Sequence, residues 1–293
     1  QDKMVEQLLV AILSDGHVLL EGVPGIAKTL TAKLIAKTIS VRFSRIQFTP
    51  DLMPSDVTGT SVLYQSKNEF EFRKGPIFSN IVLIDEINRA PAKTQAALFE
   101  SMEERQVTVD GQLHELPPPF IVLATQNPVE QEGTYQLPEA QLDRFFFKIE
   151  VDYPTAKEEI KIINDFHNKK NKVDIENVKP VLSADKIREY RELVSKVHVD
   201  ESIIKYISDI IQNTREQQGL FLGASPRASL AVLSGAKSLA AIRGRDFVTP
   251  EDIKIIVYPV LKHRLILTPE KEMEGAKPRD LIEEVIENIE VPR

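Results

Sequence analysis

Of the apolar runs in this chain, Asn80–Glu86 (NIVLIDE) limits the possible folds most. It is almost continuously apolar and closes on two acids. A strand that reads this way is covered on both faces, as central strands of parallel sheets are. Carboxylates at the C-terminal end of such a strand point into the crevice where open α/β sheets bind ligands. Asp85 is then placed to hold Mg²⁺, directly or through water, and Glu86 to orient and activate an attacking water. The plainer alternative is an acid pair at a strand end that simply faces solvent.

A second stretch argues against that alternative. His17–Thr31 (HVLLEGVPGIAKTLT) begins with a short buried-strand pattern and breaks at glycine and proline. It then continues from Lys28-Thr29 into a helix with Leu30, Leu34 and Ile35 on its apolar side. Strand, loop, Lys-Thr and helix is the arrangement of a phosphate-binding loop. Gly22, Val23, Pro24, Gly25, Ile26, Ala27, Lys28, Thr29 and Leu30 are its candidate residues. Backbone N–H groups and the helix N-terminus receive the phosphates. Lys28 reaches the outer phosphates, and the Thr29 hydroxyl joins Asp85 as a Mg²⁺ ligand. Ala27 stands where the usual pattern has a second glycine, and alanine tolerates positive φ poorly. An ordinary strand–turn–helix corner is the competing reading of this stretch alone.

Composition narrows the function classes. The chain has 293 residues, 42% hydrophobic and 28% charged. No run of about 18 apolar residues predicts a membrane span, and the first residues lack the basic region and cleavage site of a signal peptide. The absence of cysteine suits a cytoplasmic protein and excludes disulfides. Five scattered histidines offer no ligand spacing. Up to Tyr153 there are 14 basic against 21 acidic side chains, while the remainder balances at 23 of each. An acidic front half argues against nucleic acid as the main partner.

Helices are expected over the first 13 residues, 28–39 and 91–104, the last burying Ala92, Ala96, Leu98, Phe99 and Met102. Val41–Phe48 and Phe120–Ala124 read as strands, the latter delivering Thr125, Gln126 and Asn127 to the sheet edge. Hairpins are expected at about 61–72 and 106–116, with Asp110-Gly111 as the second turn. Leu137–Phe147 carries Asp143-Arg144 between apolar residues; spacing leaves Arg144 open between a structural ion pair and a charge offered to phosphate. Beyond Pro154 the pattern is helical: 155–168, 184–197, 200–214, 226–242, 250–263 and a last helix near 279–290. Ser183, Asp200, Ser225 and Thr249 are the expected N-caps, and Pro226 and Pro250 suit first-turn positions.

Taken together, LLEGVPGIAKT, LIDEINRAP with KTQAALFESMEE, ATQNP with EQEGTYQLPEAQLDRF, and GASPRASLAV resemble the AAA+ ATPases, most closely the MoxR family. The resemblance covers essentially the whole chain, and Ala before the loop lysine is common in that family. It implies an α/β P-loop NTPase (AAA+) fold: a parallel sheet flanked by helices over residues 1–153 with two hairpin inserts, then an all-helical lid over 154–293. It implies that ATP and Mg²⁺ are bound, with Asn127 as sensor 1, Arg144 as the arginine finger and Arg227 as sensor 2. The two hairpins match the helix-2 insert and the pre-sensor-1 hairpin, which face the pore or rim of related rings. The chain departs from the pattern by opening about 20 residues before the phosphate loop, so part of the adenine pocket is expected to lie outside it.

The reading that follows is a ring-forming ATP hydrolase, a hexamer, coupled to chaperone-like remodelling of protein clients. Family analogy adds a von Willebrand factor A domain protein as a partner. The alternatives are a nucleic-acid motor related to MCM helicases, a magnesium-chelatase-like subunit, and a nucleotide-gated binding module with negligible turnover. A helicase wants cations at its hairpin tips, and Asp110-Gly111-Gln112 with Lys67 supplies few.

Overall fold

The computed structural model describes residues 2–22, 28–65, 68–127, 135–151, 153–168 and 177–292. Along the front half run α1 (Asp2–Leu13), β1 (Val18–Glu21), α2 (Lys28–Ile39), β2 (Phe43–Gln47), α3 (Pro54–Thr58), β3 (Gly59–Tyr64), β4 (Glu69–Lys74) and β5 (Ile81–Asp85). These are followed by α4 (Ala92–Glu104), β6 (Gln106–Val109), β7 (Gln112–Glu115), β8 (Ile121–Gln126), α5 (Glu139–Leu142) and β9 (Phe147–Glu150). Among the described residues, five strands form one sheet in the order β2–β5–β8–β1–β9. Interior strand β5 runs parallel to both neighbours, Ile84 opposite Ile46 on one side and Ala124 on the other. Ile81, Val82, Leu83 and Ile84 are each at most 1% exposed, which contributes about 1.5–3 kcal/mol per side chain. The apolar run of β5 is therefore an interior strand, covered on both faces as its composition predicts.

Contacts divide the chain into two compact units: Leu20–Tyr135 with Glu150–Lys186, and Gln1–Leu19 with Gln136–Ile149 and Ile187–Arg293. This division differs from the boundary expected at 153/154. The reason is that α1 and the segment before β9 pack with the C-terminal helices. The β9 strand itself escaped the sequence reading, because Arg144 and Lys148 interrupt the apolar pattern around it.

In the first unit, Asn80 ties strand starts together. Its side chain accepts from the Arg42 N–H at 3.2 Å and donates to the carbonyls of Pro117 and Pro119 at 3.1 and 3.2 Å. The buried face of α4 corrects an expectation. Ala92 and Ala96 are exposed, whereas Thr94 and Gln95 are buried beside Leu98, Phe99 and Met102. Polar residues occupy the interior because their needs are met: Thr94 donates to the Leu52 carbonyl at 2.6 Å, and Gln95 to those of Ile87 and Ala90 at 3.2 Å. Counting apolar residues alone cannot find such a face.

Both hairpins form. At the tip of the second, Asp110 (φ 51°) and Gly111 (φ 75°) take the left-handed backbone of a two-residue turn. The hairpins are also joined, since the Ser61 hydroxyl meets the Asp110 carboxylate and Phe72 stacks on His114 with ring centroids 4.2 Å apart.

The helices of the back half are α6 (Ala156–Asn168), α7 (Ala184–Ser195), α8 (Glu201–Glu216), α9 (Pro226–Ile242), α10 (Pro250–Leu261), α11 (Pro269–Met273) and α12 (Pro278–Glu287). A small antiparallel pair, β10 (Leu220–Leu222) and β11 (Ile266–Leu267), sits among them. In α6 the expected apolar face, Ile160, Ile163 and Phe166, is exposed. In the second unit the Arg191 guanidinium closes the end of α1, donating twice to the Ile12 carbonyl at 2.9 and 2.7 Å and pairing with Asp15 at 2.9 Å. Helices α9 and α10 approach closely at Gly235, where a Cβ would come within 2.7 Å of the Ile256 side chain. Asp200 caps α8 through the Ser202 N–H at 2.8 Å, and Thr249 caps α10 in a capping box with Asp252. Ser225 starts α9 but makes no side-chain cap bond.

Candidate functional site

The site grows from strand ends in the first unit. Just past β1, the Gly22 N–H donates to the Gln126 carbonyl at 3.3 Å, which joins the end of β1 to the end of β8. Lys28, the first residue of α2, donates its Nζ to the Gly22 carbonyl at 2.7 Å, so its ammonium is anchored at that same edge. Thr29 and Leu30 follow in the first turn, partly exposed. Val23, Pro24, Gly25, Ile26 and Ala27 lie outside the described residues.

Thr125 of β8 sets the two acids of β5 apart. Its hydroxyl accepts the Glu86 backbone N–H at 3.0 Å and donates to Asp85 Oδ1 at 3.2 Å. Asp85 ends the strand with a carboxylate only 10% exposed, and its Oδ2 accepts from Arg45 Nε at 2.5 Å. Glu86 then turns left-handed, at φ 58° and ψ 54°, a conformation that costs about 1–3 kcal/mol in a residue with a side chain. The turn begins a short 3₁₀ segment at Ile87 and directs the second carboxylate away from the first. Its Oε2 accepts from Gln47 Nε2 at 2.7 Å, with Arg89 Nε 3.3 Å away. Asn127 follows β8 and is 7% exposed.

Arg45, Gln47, Thr125 and Arg89 thus contact the two acids, and motif reading does not assign them. A signal existed for two of them. Arg45 and Gln47 are two apart on a strand and so share a face, and Gln47 is the register partner of Asp85. The remaining sequence candidates, Arg144 and Arg227, belong to the second unit. Arg144 is half-buried after α5, and Arg227 is exposed in the first turn of α9. Asp143, the residue before Arg144, is engaged by Arg264, Nε to Oδ1 at 2.7 Å.

The donors present suit a divalent cation of one kind. Among the described residues, no three of His, Cys, Asp and Glu are grouped as a metal cage. Asp85 and Thr29 instead offer a carboxylate and a hydroxyl, hard oxygen donors of the sort Mg²⁺ uses when phosphates supply the rest. That Asp85 Oδ2 already pairs with the Arg45 cation shows that positive charge is favoured at this oxygen.

A parallel sheet with a lysine at the helix start after one strand and two acids at the end of an interior strand is the arrangement of a P-loop NTPase, and the family profiles place it among the AAA+ ATPases. The family profile of the ATPase family associated with various cellular activities (AAA) matches residues 17–147, and that of the AAA lid domain matches residues 212–285. Within that class, the chain belongs to the MoxR family. It is 44% identical to Chaperone MoxR1 of Mycobacterium tuberculosis (strain ATCC 25618 / H37Rv), over 100% of this chain and 79% of the relative. It is 48% identical to the uncharacterized protein YeaC of Bacillus subtilis (strain 168), over 97% of this chain and 88% of the relative. The crystal structure of a candidate ATPase from Cytophaga hutchinsonii ATCC 33406 superimposes with a TM-score of 0.92 at 45% identity, covering 100% of this chain and 91% of that one.

Proposed function

We propose that this chain hydrolyses ATP as a ring, a homo-oligomer of hexamer type, and couples turnover to chaperone-like remodelling or maturation of protein clients. The observation that carries the reading is the pair of acids at the end of β5. Thr125 fixes Asp85 and Glu86 in different directions, at the same sheet edge as Lys28. Lys28 binds the outer phosphates. Thr29 and Asp85 hold Mg²⁺, which when bound with nucleotide offsets charge on the phosphates. Glu86 takes a proton from the attacking water, and Asn127 orients that water. Gln47 keeps the Glu86 carboxylate in place until water enters. Arg144 and Arg227 supply the finger and sensor cations that the family resemblance implies. The division into an ATPase part up to about residue 153 and a helical lid beyond it belongs to the same proposal.

The client reading rests on the chaperone name of one relative, and a von Willebrand factor A domain protein is the proposed partner. Nucleic acid is disfavoured by the acidic turn at Asp110-Gly111 and by the negative front half. No described helix is long and apolar enough to cross a membrane, and the proposed location is the cytoplasm. The decisive variant is Glu86→Gln, which keeps an amide of the same shape and removes the base. Nucleotide binding is expected to persist while steady-state hydrolysis falls by about 10²–10⁴-fold. Undiminished hydrolysis would sink the mechanism.

A further inference from the structure

Asp143 sits at a junction that the ATPase reading leaves unexplained. Its partner Arg264 is buried with all five N–H groups engaged. Nε goes to Asp143 Oδ1 at 2.7 Å, Nη1 to the carbonyls of Phe146 and Val260, and Nη2 to those of Asp143 and Phe145. Three of these carbonyl bonds, to Asp143, Phe145 and Phe146, already knit the segment before β9 to the end of α10. Asp143 makes a further contact of a different nature. Both of its carboxylate oxygens accept from the Ser225 hydroxyl, at 3.1 and 3.0 Å. Ser225 is the N-cap residue of α9, where a serine oxygen ordinarily accepts a first-turn N–H. It makes no such bond. The helix start therefore forgoes its cap to be fastened to Asp143.

The two ends of this fastening carry the two candidate cations. Arg144 is the residue after Asp143, and Arg227 is two residues after Ser225. Arg227 stands close enough to Arg264 to push its pKa down, in the same direction as the larger effect of burial. A buried Arg264–Asp143 pair alone would serve packing. A hydroxyl diverted from capping to the same carboxylate serves alignment.

We infer that Asp143 is a positioning residue: held by Arg264 and holding Ser225, it keeps Arg144 and the first turn of α9 with Arg227 in one register, so that both guanidiniums reach phosphate together. This rests on the roles proposed above for the two arginines. All the contacts lie within the second unit, so the device is independent of how that unit moves. The Asp143 carboxylate is thereby tied to a residue 121 positions away.

Asp143→Ala would strand the buried Arg264 charge, so the test uses Ser225. Ser225→Ala removes one hydroxyl and no cap bond, and Ser225→Thr retains the hydroxyl. ATP hydrolysis by the full chain is measured for both, in the wild-type background and in Arg144→Ala, Arg227→Ala and the double-arginine variant, together with thermal midpoints. Ser225→Ala is expected to lower kcat by about tenfold, with KM and the midpoint close to wild type and with Ser225→Thr restoring the rate. In the double-arginine background Ser225→Ala is expected to change the residual rate less than twofold. The inference is overturned if Ser225→Ala has no effect in the wild type, or if it lowers the rate by the same factor in every background. A double-arginine variant as fast as wild type would remove the arginine roles themselves, a separate failure of the reading beneath.

Discussion

His263 follows α10 and is buried against the segment that carries Asp143. A carbonyl can only accept, so the 3.0 Å contact with Phe145 makes Nε2 the protonated nitrogen of a neutral ring. Burial first, then the cations of Arg264, Lys148 and Lys262, hold its pKa well below the usual imidazole range, against the smaller pull of the Phe145 hydrogen bond. The unfolded chain takes up this proton near its ordinary pKa of about 6.5, before the folded chain does. Folded stability from this residue is therefore complete above about pH 6.5 and declines by up to about 1.4 kcal/mol per pH unit below it. Urea midpoints of wild type and His263→Gln should diverge in slope between about pH 6.5 and 5.5, the wild type falling faster. Parallel slopes would mean that the folded ring takes up its proton at the same pH as the unfolded chain. At this scale the residues proposed to carry the chemistry, Lys28, Asp85 and Glu86, are legible in sequence because strand and loop punctuation places them at element ends. Arg45, Gln47, Ser225 and Arg264 are not, since each meets its partner through register or tertiary packing.

Among the elements, α10 shows how a helix start is secured. Asp252 is fully buried; it accepts from the Thr249 N–H and hydroxyl at 2.9 Å and from both Nη atoms of Arg245 at 2.8 and 2.6 Å. Burial alone would raise its pKa, but the Arg245 and Thr249 hydrogen bonds outweigh it and keep the carboxyl below its usual range. Asp252→Ala removes the capping box and leaves Arg245 without its acid, at a cost of about 2–3 kcal/mol; a thermal midpoint within a degree of wild type would contradict this. The T-P-E-D start of that helix was readable as a cap, and the Asp-Gly turn as a hairpin, because the signals are local. The face of α4 and the strand β9 were not, because Thr94 and Gln95 are satisfied by carbonyls outside their helix and Lys148 takes its place through strand pairing, overriding the apolar pattern. The Ser61–Asp110 contact and the Phe72–His114 stack were likewise invisible: each hairpin was legible alone, but their attachment spans 49 residues.

For the whole molecule the proposed ring makes one further demand. A finger arginine contributes about 10³–10⁵ in rate when supplied by a neighbour, so dilute monomer should be a poor ATPase. Lys28→Ala and Arg144→Ala are each expected to be nearly inactive alone and to regain turnover when mixed, because some interfaces then pair an intact loop with an intact finger. Folded, assembling variants that show no such rescue would exclude a composite site.

The interleaving of the chain has a consequence for its manufacture. The unit that contains α1 is completed only by residues far downstream: Ser14 bonds to Ser234 and Ser238, and Asp143 waits for Arg264, 121 residues later. At about 5–20 residues per second that wait is roughly 6–24 s on the ribosome. During that interval α1 has Arg191 at its end but not its α9 contacts, and the segment bearing Arg144 has its bond from the Phe146 N–H to the His17 carbonyl but not its Arg264 contacts. The nascent chain is thus most exposed to misassembly late in synthesis, and a ribosome-bound intermediate stalled before α9 should present α1 to protease while the strand β5 beside β2 is already protected.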